Sequence, residues 1–364
     1  MRPKIIAYYL PQFHPINEND EWWGKGFTEW TNVGKAKPLY RGHNQPRVPA
    51  DLGYYDLRVP EVREQQAQLA REAGVYGFCY WHYWFGNGRQ LMNEIIDEVA
   101  ATGKPDFPFC LGWANESWKQ KQWRFDGKGD RILMEQQYGG EADYRAHYEY
   151  VRKLITNKNY IRIGGKPFFQ VYKPYASKDI PLMLKLWNKW IREDGIAEGF
   201  YFQASGDSTK KINPFIDMGY DVVTFKCGDL ISQTLASFPT YVRAWHKLKR
   251  NILGIPHRLS LRDINKYISS QEEFLKNEKV MPILLPQWDH SPRSKFARPV
   301  VESAPELFRE QAEIVLNMVK EKQNQIVMLQ AWNEWGEGNY MEPDLTWGHG
   351  YIDALREAIE EVYG

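Results

Sequence analysis

Near the end of the chain, the stretch Ala331-Trp332-Asn333-Glu334-Trp335-Gly336-Glu337-Gly338-Asn339-Tyr340-Met341-Glu342-Pro343-Asp344 sets three glutamates among aromatics and glycines. Two carboxyl groups facing one cavity suit the cleavage of an acetal, where one protonates the leaving oxygen while the other acts as base or nucleophile. Separations of about 5–5.5 Å serve a direct double displacement, and about 6.5–9.5 Å leaves room for an inverting water. Glu334 and Glu337 lie three residues apart, and Gly336 and Gly338 permit a tight turn that aims both side chains one way. Such proximity would push their pKa values apart, supplying an acid and a base at one pH. The competing reading is a helix-entry turn whose acidic side chains are favoured by the helix dipole. Glu342, before Pro343, reads as a loop anchor or as a third carboxylate of the site.

The elements that must position these groups alternate. Segments 4–11, 75–84, 107–113, 167–173, 199–204, 221–227, 280–286 and 325–331 are rich in β-branched and aromatic residues and read as strands. Apolar residues recur at three- and four-residue intervals over 61–73, 91–102, 141–156, 180–193, 305–322 and 351–362, which predicts helices. Eight near-continuous apolar strands interleaved with helices imply a parallel sheet covered on its outer face. The fold expected is α/β, a single (β/α)8 barrel spanning 1–364 as one catalytic domain, with long loops after strands one and six (12–57 and 228–279). An open doubly wound sheet is the runner-up, but no G-x-G-x-x-G fingerprint or P-loop opens a helix.

In such a barrel the chemistry sits at the C-terminal strand ends. Those ends are dense in aromatic, carboxamide, imidazole and carboxylate groups: Tyr9 and His14 after strand one, Trp81, His82 and Trp84 at strand two, Trp113, Asn115 and Glu116 at strand three, Trp288 and Asp289 after strand seven, and Asn333 and Trp335 after strand eight. With Trp30 from the first long loop, these are the candidate substrate-binding residues. Wet loops alone would predict Lys and Ser more readily than this mixture. Asn115 and Glu116 read equally as a substrate clamp or as structural hydrogen bonders. His14 and His82 lack H-x-x-x-H or H-x-H spacing, so they read as hydrogen bonders or core partners; no metal site and no cofactor are expected.

Composition narrows the partners. Lys plus Arg number 47 against 46 Asp plus Glu, which gives no electrostatic reason to expect nucleic acid. Aromatic content is 15%, with 15 Trp and 22 Tyr; rings with polar tips suit half-wet walls such as those that bind sugars, so an oligo- or polysaccharide is the expected partner. Cys79, Cys110 and Cys227 form no CxxC and read as reduced core thiols. The N-terminal apolar run is too short for a secretory core and no run spans a bilayer, so a cytoplasmic chain is the default, a trimmed signal being invisible to this reading. The stretch 241–262 is basic and amphipathic; it reads first as a solvated helix face, and second as a contact for an acidic glycan or a membrane surface.

The opening Tyr8-Tyr9-Leu10-Pro11-Gln12-Phe13-His14 and its continuation to Val33, together with the motifs at 77–85, 113–118 and 331–344, resemble the WbsX-like proteins of bacterial polysaccharide loci. These in turn are similar to glycoside hydrolase family 99, the endo-α-mannosidases. The resemblance runs over most of the chain and implies a (β/α)8 barrel and a retaining mechanism without an enzyme nucleophile. By matching position, Glu334 would draw the proton from the sugar 2-hydroxyl and Glu337 would act as general acid, then base. Gly336 departs from the hydrolase motif, which has His there, and removes one hydrogen-bonding group beside the acid. Displacement by the 2-oxygen needs a 1,2-trans arrangement, which restricts the expected substrate to α-mannosides or α-rhamnosides. The label usual for WbsX-like proteins, a glycosyltransferase of O-antigen or capsule assembly, is the alternative.

Overall fold

The computed structural model describes residues 2–120, 131–206, 211–294 and 299–364. Eight parallel strands form the barrel: β1 (Lys4–Tyr9), β2 (Gly77–Trp84), β3 (Phe109–Trp113), β4 (Lys166–Val171), β5 (Tyr201–Gly206), β6 (Val222–Phe225), β7 (Ile283–Leu284) and β8 (Ile326–Leu329). Sequential strands pair from β1 through β6, β1 also pairs with β8, and β8 pairs with β7. A parallel bridge between Val223 and Val280 closes the ring between β6 and β7. The expected (β/α)8 barrel is therefore the architecture found.

Helices Pro60–Glu72, Glu94–Thr102, Glu141–Ile155, Ile180–Glu193, Pro305–Lys320 and Gly350–Tyr363 fall where the periodicity places them. The seventh strand is the shortest, because only Ile283 and Leu284 of the expected 280–286 keep ladder hydrogen bonds. The long segment after β1 is not an open loop; it folds into two short helices, Asn17–Trp23 and Glu29–Lys35. The segment after β6 holds helices Cys227–Ser237, Thr240–Leu253 and Leu261–Ser269. Among the described residues, no helix is long and apolar enough to cross a membrane. Cys79, Cys110 and Cys227 are free and buried.

Strand alternation decides which side chains enter the barrel. Tyr8 and Trp81 stack inside it, ring centroids 4.8 Å apart and planes 2° from parallel. Their neighbours Tyr9 and His82 point outward into the helix layer, where the Tyr9 hydroxyl donates to Gln66 Oε1 (2.6 Å) and His82 meets His147 ring to ring (Nε2 to Nε2, 2.8 Å). Gly112 of β3 makes room for the inward layer: a Cβ there would stand 3.1 Å from Cys79 Sγ and 3.4 Å from Trp81 Cε3.

Candidate active site

The barrel opens at its C-terminal end into a cavity of about 800 Å³, lined by Tyr8, Gln12, Trp81, Tyr83, Glu116, Trp118, Tyr172, Trp288, His290, Arg293, Glu334 and Glu337 among others. Both glutamates reach it from one small hairpin. Asn333–Glu334 pairs antiparallel with Asn339–Tyr340, and a single 3-10 turn, Trp335–Glu337, joins them. Gly338 closes the turn in the left-handed region (φ 56°), where a Cβ would press on Asp289 from 2.8 Å. The turn is thus the return of a hairpin, not the entry to a helix.

The hairpin is strapped down from several sides. Asn333 Oδ1 accepts from the Leu10 amide (2.7 Å) and its Nδ2 donates to the Leu10 carbonyl (3.1 Å), fixing it to the end of β1. The Asp289 amide donates to the Glu337 carbonyl (2.8 Å), Arg47 donates to the Gly338 carbonyl (3.0 Å), and Gln287 donates to the Tyr340 carbonyl (3.0 Å). Asp289 is itself clasped: its Oδ2 accepts from Gln45 Nε2 (2.6 Å) and His43 Nε2 (2.8 Å), and the His43 Nδ1 accepts from the Leu39 amide. Burial alone would raise the Asp289 pKa, but these donors and Arg47 hold it well below the ordinary carboxylate value.

Glu334 is buried and accepts from Trp81 Nε1 (2.8 Å). Burial, and next the charge of Glu337, push its pKa up to about 8 against the lowering pull of Arg293 and of the Trp81 N–H. Glu337 accepts from Arg293 Nη1 at 2.5 Å, with His290 Nε2 3.6 Å away. Arg293 also pairs with the buried Glu29, its Nε and Nη2 lying 3.2 and 3.1 Å from Glu29 Oε2. Burial raises the Glu29 pKa, with Arg293 opposing that rise. Glu29, Arg293 and Glu337 thus form a chain of charges beneath Gly336. The space beside Gly336 is filled by the Glu29 to Arg293 ion pair.

Of the residues the sequence nominates, Trp81, Glu116, Trp288, Glu334 and Glu337 line the cavity. Glu116 also lies 3.7 Å from Lys173 Nζ. The others do not line it. Tyr9, His82 and Trp84 lie on outward strand positions, where Trp84 Nε1 donates to Asp143 and burial pushes the His82 pKa down to about 3. Trp113 donates to the Trp84 carbonyl in the core. Asn115 ties strand three to strand four by accepting from the Lys173 amide and donating to the Lys173 carbonyl. His14 is buried, 3.9 Å from Glu94. Trp30 donates to the Tyr55 carbonyl and packs on Trp335, which stacks on Tyr340 (3.7 Å, 12°). Asn333 ties the hairpin to the Leu10 backbone, and the Asp289 amide holds the Glu337 carbonyl. Glu342 is an anchor, accepting from Trp335 Nε1 (2.6 Å), Gln66 Nε2 (2.6 Å) and Tyr55 (2.9 Å); burial raises its pKa to about 7.

The residues missed are Tyr8, Gln12, Tyr83, Tyr172, His290 and Arg293 on the lining, with Glu29 behind them. Gln12 donates to the Tyr83 hydroxyl across the mouth (2.8 Å). Tyr8 and Tyr83 share the inward side with Trp81, a relation that the strand register shows. Among the described residues, no group of three or more His, Cys, Asp or Glu is arranged to hold a metal.

Comparison with known proteins fits this architecture. The chain is 36% identical over 98% of its length to the uncharacterized protein WxcX of Xanthomonas campestris pv. campestris, and it spans about half of that relative, 49%. In fold it is similar to a glycoside hydrolase-like protein at TM-score 0.62 and 14% identity, covering 98% of this chain and 94% of that one. It is likewise similar to the GH99 endo-alpha-mannosidase from Bacteroides thetaiotaomicron at TM-score 0.56 and 14% identity, covering 98% and 97%. Likeness at that identity speaks for the fold alone. The family model described as "Glycosyltransferase WbsX" matches residues 5–355, and the chain belongs to that family.

Proposed function

We propose that the chain is a glycoside hydrolase that cleaves α-manno-configured linkages, mannoside or rhamnoside, in a bacterial polysaccharide with retention. The observation that carries this reading is the pair Glu334 and Glu337, which reach one aromatic-walled cavity from a single hairpin. Glu334 takes the proton from the sugar 2-hydroxyl as O2 attacks C1; the bond from C1 to the leaving oxygen breaks, and Glu337 protonates that oxygen. Glu337 then takes a proton from water, the water oxygen bonds to C1 as the C1–O2 bond breaks, and Glu334 returns its proton to O2. Two inversions give retention. Burial raises the Glu334 pKa to about 8, so its carboxylate is a strong base whose population grows as pH rises toward that value. Stacking of Tyr8 on Trp81 offers a platform for a sugar face.

Incubation with α-mannan, rhamnan and O-antigen fragments should release oligosaccharides, with the new reducing end formed first in the α configuration by NMR. Glu337→Gln should abolish release while calorimetry still registers glycan binding; an unchanged rate would remove Glu337 as the acid. A second reading, a glycosyltransferase, is favoured by the family description and by the cations Lys173, Lys226 and Arg293 on the lining, which suit a phosphorylated donor. A thermal shift with GDP or UDP sugars would support that reading, and no shift with any of them would count against it.

A further inference from the structure

Helix Thr240–Leu253 stands nearly clear of the barrel, with no buried residue. Only Val242 and His246 along it are partly covered, His246 lying edge-on to Phe238 and His257. Its remaining surface divides in two. Tyr241, Trp245, Leu248 and Ile252 recur at four-, three- and four-residue steps and fall on one stripe, with exposures of 76%, 55%, 48% and 69%. Arg243, Lys247 and Arg250 fall on the opposite side at helical spacing, with Lys249 on the flank.

That stripe is an anomaly within this protein. Of twelve large apolar or aromatic side chains exposed among the described residues, five, including Leu253, belong to this one helix of 14 residues. Solvation does not account for a cluster of that kind, although isolated exposed apolar residues need no explanation. Charge says what covers it. The stretch 230–262 carries six Lys or Arg and no Asp or Glu, in a chain whose net charge is +1. A helix lying in the interfacial layer of an anionic bilayer puts the stripe at the acyl boundary and the opposite, basic side among the headgroup phosphates, and Trp and Tyr favour that boundary.

We propose that this helix docks the protein by lying in the interface of an anionic lipid bilayer, with its apolar stripe turned to the acyl chains and its basic side chains, on the opposite side, level with the headgroup phosphates. The helix belongs to the connection after β6, whose first helix, Cys227–Ser237, lines the cavity with Asp229, Ile231 and Ser232. At its other end the His257 carbonyl accepts from the Val300 amide, beside Pro299 of the cavity wall. Docking therefore acts on the barrel face that carries the mouth, and would hold the cavity near glycans borne at a membrane. The inference does not depend on what Glu334 and Glu337 do.

The test is sedimentation of the whole chain with phosphatidylcholine vesicles that contain or lack phosphatidylglycerol. Binding is expected to the anionic vesicles only, and to fall as salt rises. Each basic side chain near such a surface contributes roughly fivefold in partitioning, so Lys247→Glu with Arg250→Glu should lower binding by on the order of a hundredfold or more. Trp245→Ser with Ile252→Ser should lower it as well, without changing the far-ultraviolet circular dichroism, because both side chains are exposed. Absence of binding, or equal binding to neutral vesicles, would overturn the proposal. So would a dimer in solution that the Trp245 and Ile252 variant dissolves, since a second copy would then be the occupant.

Discussion

A Cβ on Gly336 would collide with Glu29 Oε2, so the glycine and the buried carboxylate form one arrangement. The same Cβ would stand 3.0 Å from Arg293 Nε. Arg293 links Glu29 to Glu337, and the missing side chain is therefore the condition for an arginine to reach the outer glutamate of the pair. Any side chain at this position requires the Glu29 to Arg293 pair to shift.

Gly336→Ala should consequently act on the site and on stability together. Displacing a packed ion pair by one methyl group costs about 1–3 kcal/mol, and thermal melts should show it. Turnover should fall further than the stability loss explains, because Arg293 must shift from Glu337. Arg293→Ala should be worse, roughly 3–5 kcal/mol, since it strands the buried Glu29 carboxylate. Adding Glu29→Gln should recover part of that stability without recovering turnover. Unchanged melting and rate in Gly336→Ala would refute the arrangement.

The pKa of Glu334 gives a prediction with a sign. In the folded chain it lies near 8, above its ordinary value of 4.5. Between those two pH values the folded state holds a proton that the unfolded chain releases, so this group's contribution to stability declines as pH rises through that window and is gone above it. Glu334→Gln should therefore melt progressively higher than the parent chain from pH 5 to pH 8, by about a few °C, and level off beyond. The kinetic limb assigns the role. If Glu334 is the base, kcat/KM rises toward a limb at about pH 8 that Glu334→Gln abolishes; if activity instead falls through that limb, Glu334 is the proton donor and the two roles exchange.

The barrel was legible because its signal is collective: eight apolar runs and the helices between them agree on one parallel sheet. Which side of each strand meets the cavity was not legible. Barrel strands are buried on both faces, so hydrophobicity does not mark parity, and Tyr8 and Tyr9 look alike in sequence although one stacks on Trp81 and the other bonds Gln66. His82 and Trp84 mislead for the same reason, being polar-tipped residues whose partners, His147 and Asp143, come from a distant helix. Asn333, Asp289 and Glu342 stand out in the motifs, but they hold the hairpin in place and do not themselves line the cavity. Glu29 lies within the opening motif and Arg293 just past strand seven, but the two are 264 residues apart and nothing in the sequence pairs them.

Trp81 holds Glu334 by a single donor and Tyr8 by stacking, and Trp81→Phe separates the two. Phenylalanine keeps a ring against Tyr8 but removes the Nε1–H, one of the groups that lower the Glu334 pKa. The pH limb should move above that of the parent chain. A hydrogen bond to a charged group contributes about 1.5–3 kcal/mol, so kcat/KM at neutral pH should drop by roughly tenfold to a hundredfold. A limb that stays in place would show that this contact does not govern the proton on Glu334.

Asp289 offers the complementary case of a carboxylate that positions the pair without lining the cavity. Its Oδ2 accepts from both His43 and Gln45, its Oδ1 accepts from the Ser291 amide, and its own amide holds the Glu337 carbonyl. An asparagine must turn its NH2 toward one of these donors, so Asp289→Asn should destabilise by about 1–3 kcal/mol. Because the folded pKa of Asp289 lies below its ordinary value of 3.8, its stabilisation is complete above that pH and is lost only as pH falls further. The deficit of the variant should thus be constant near neutrality and shrink in acid. In kinetics the loosened hairpin should lower kcat more than it raises KM, since the cavity walls remain; a change confined to KM would place Asp289 in substrate binding instead.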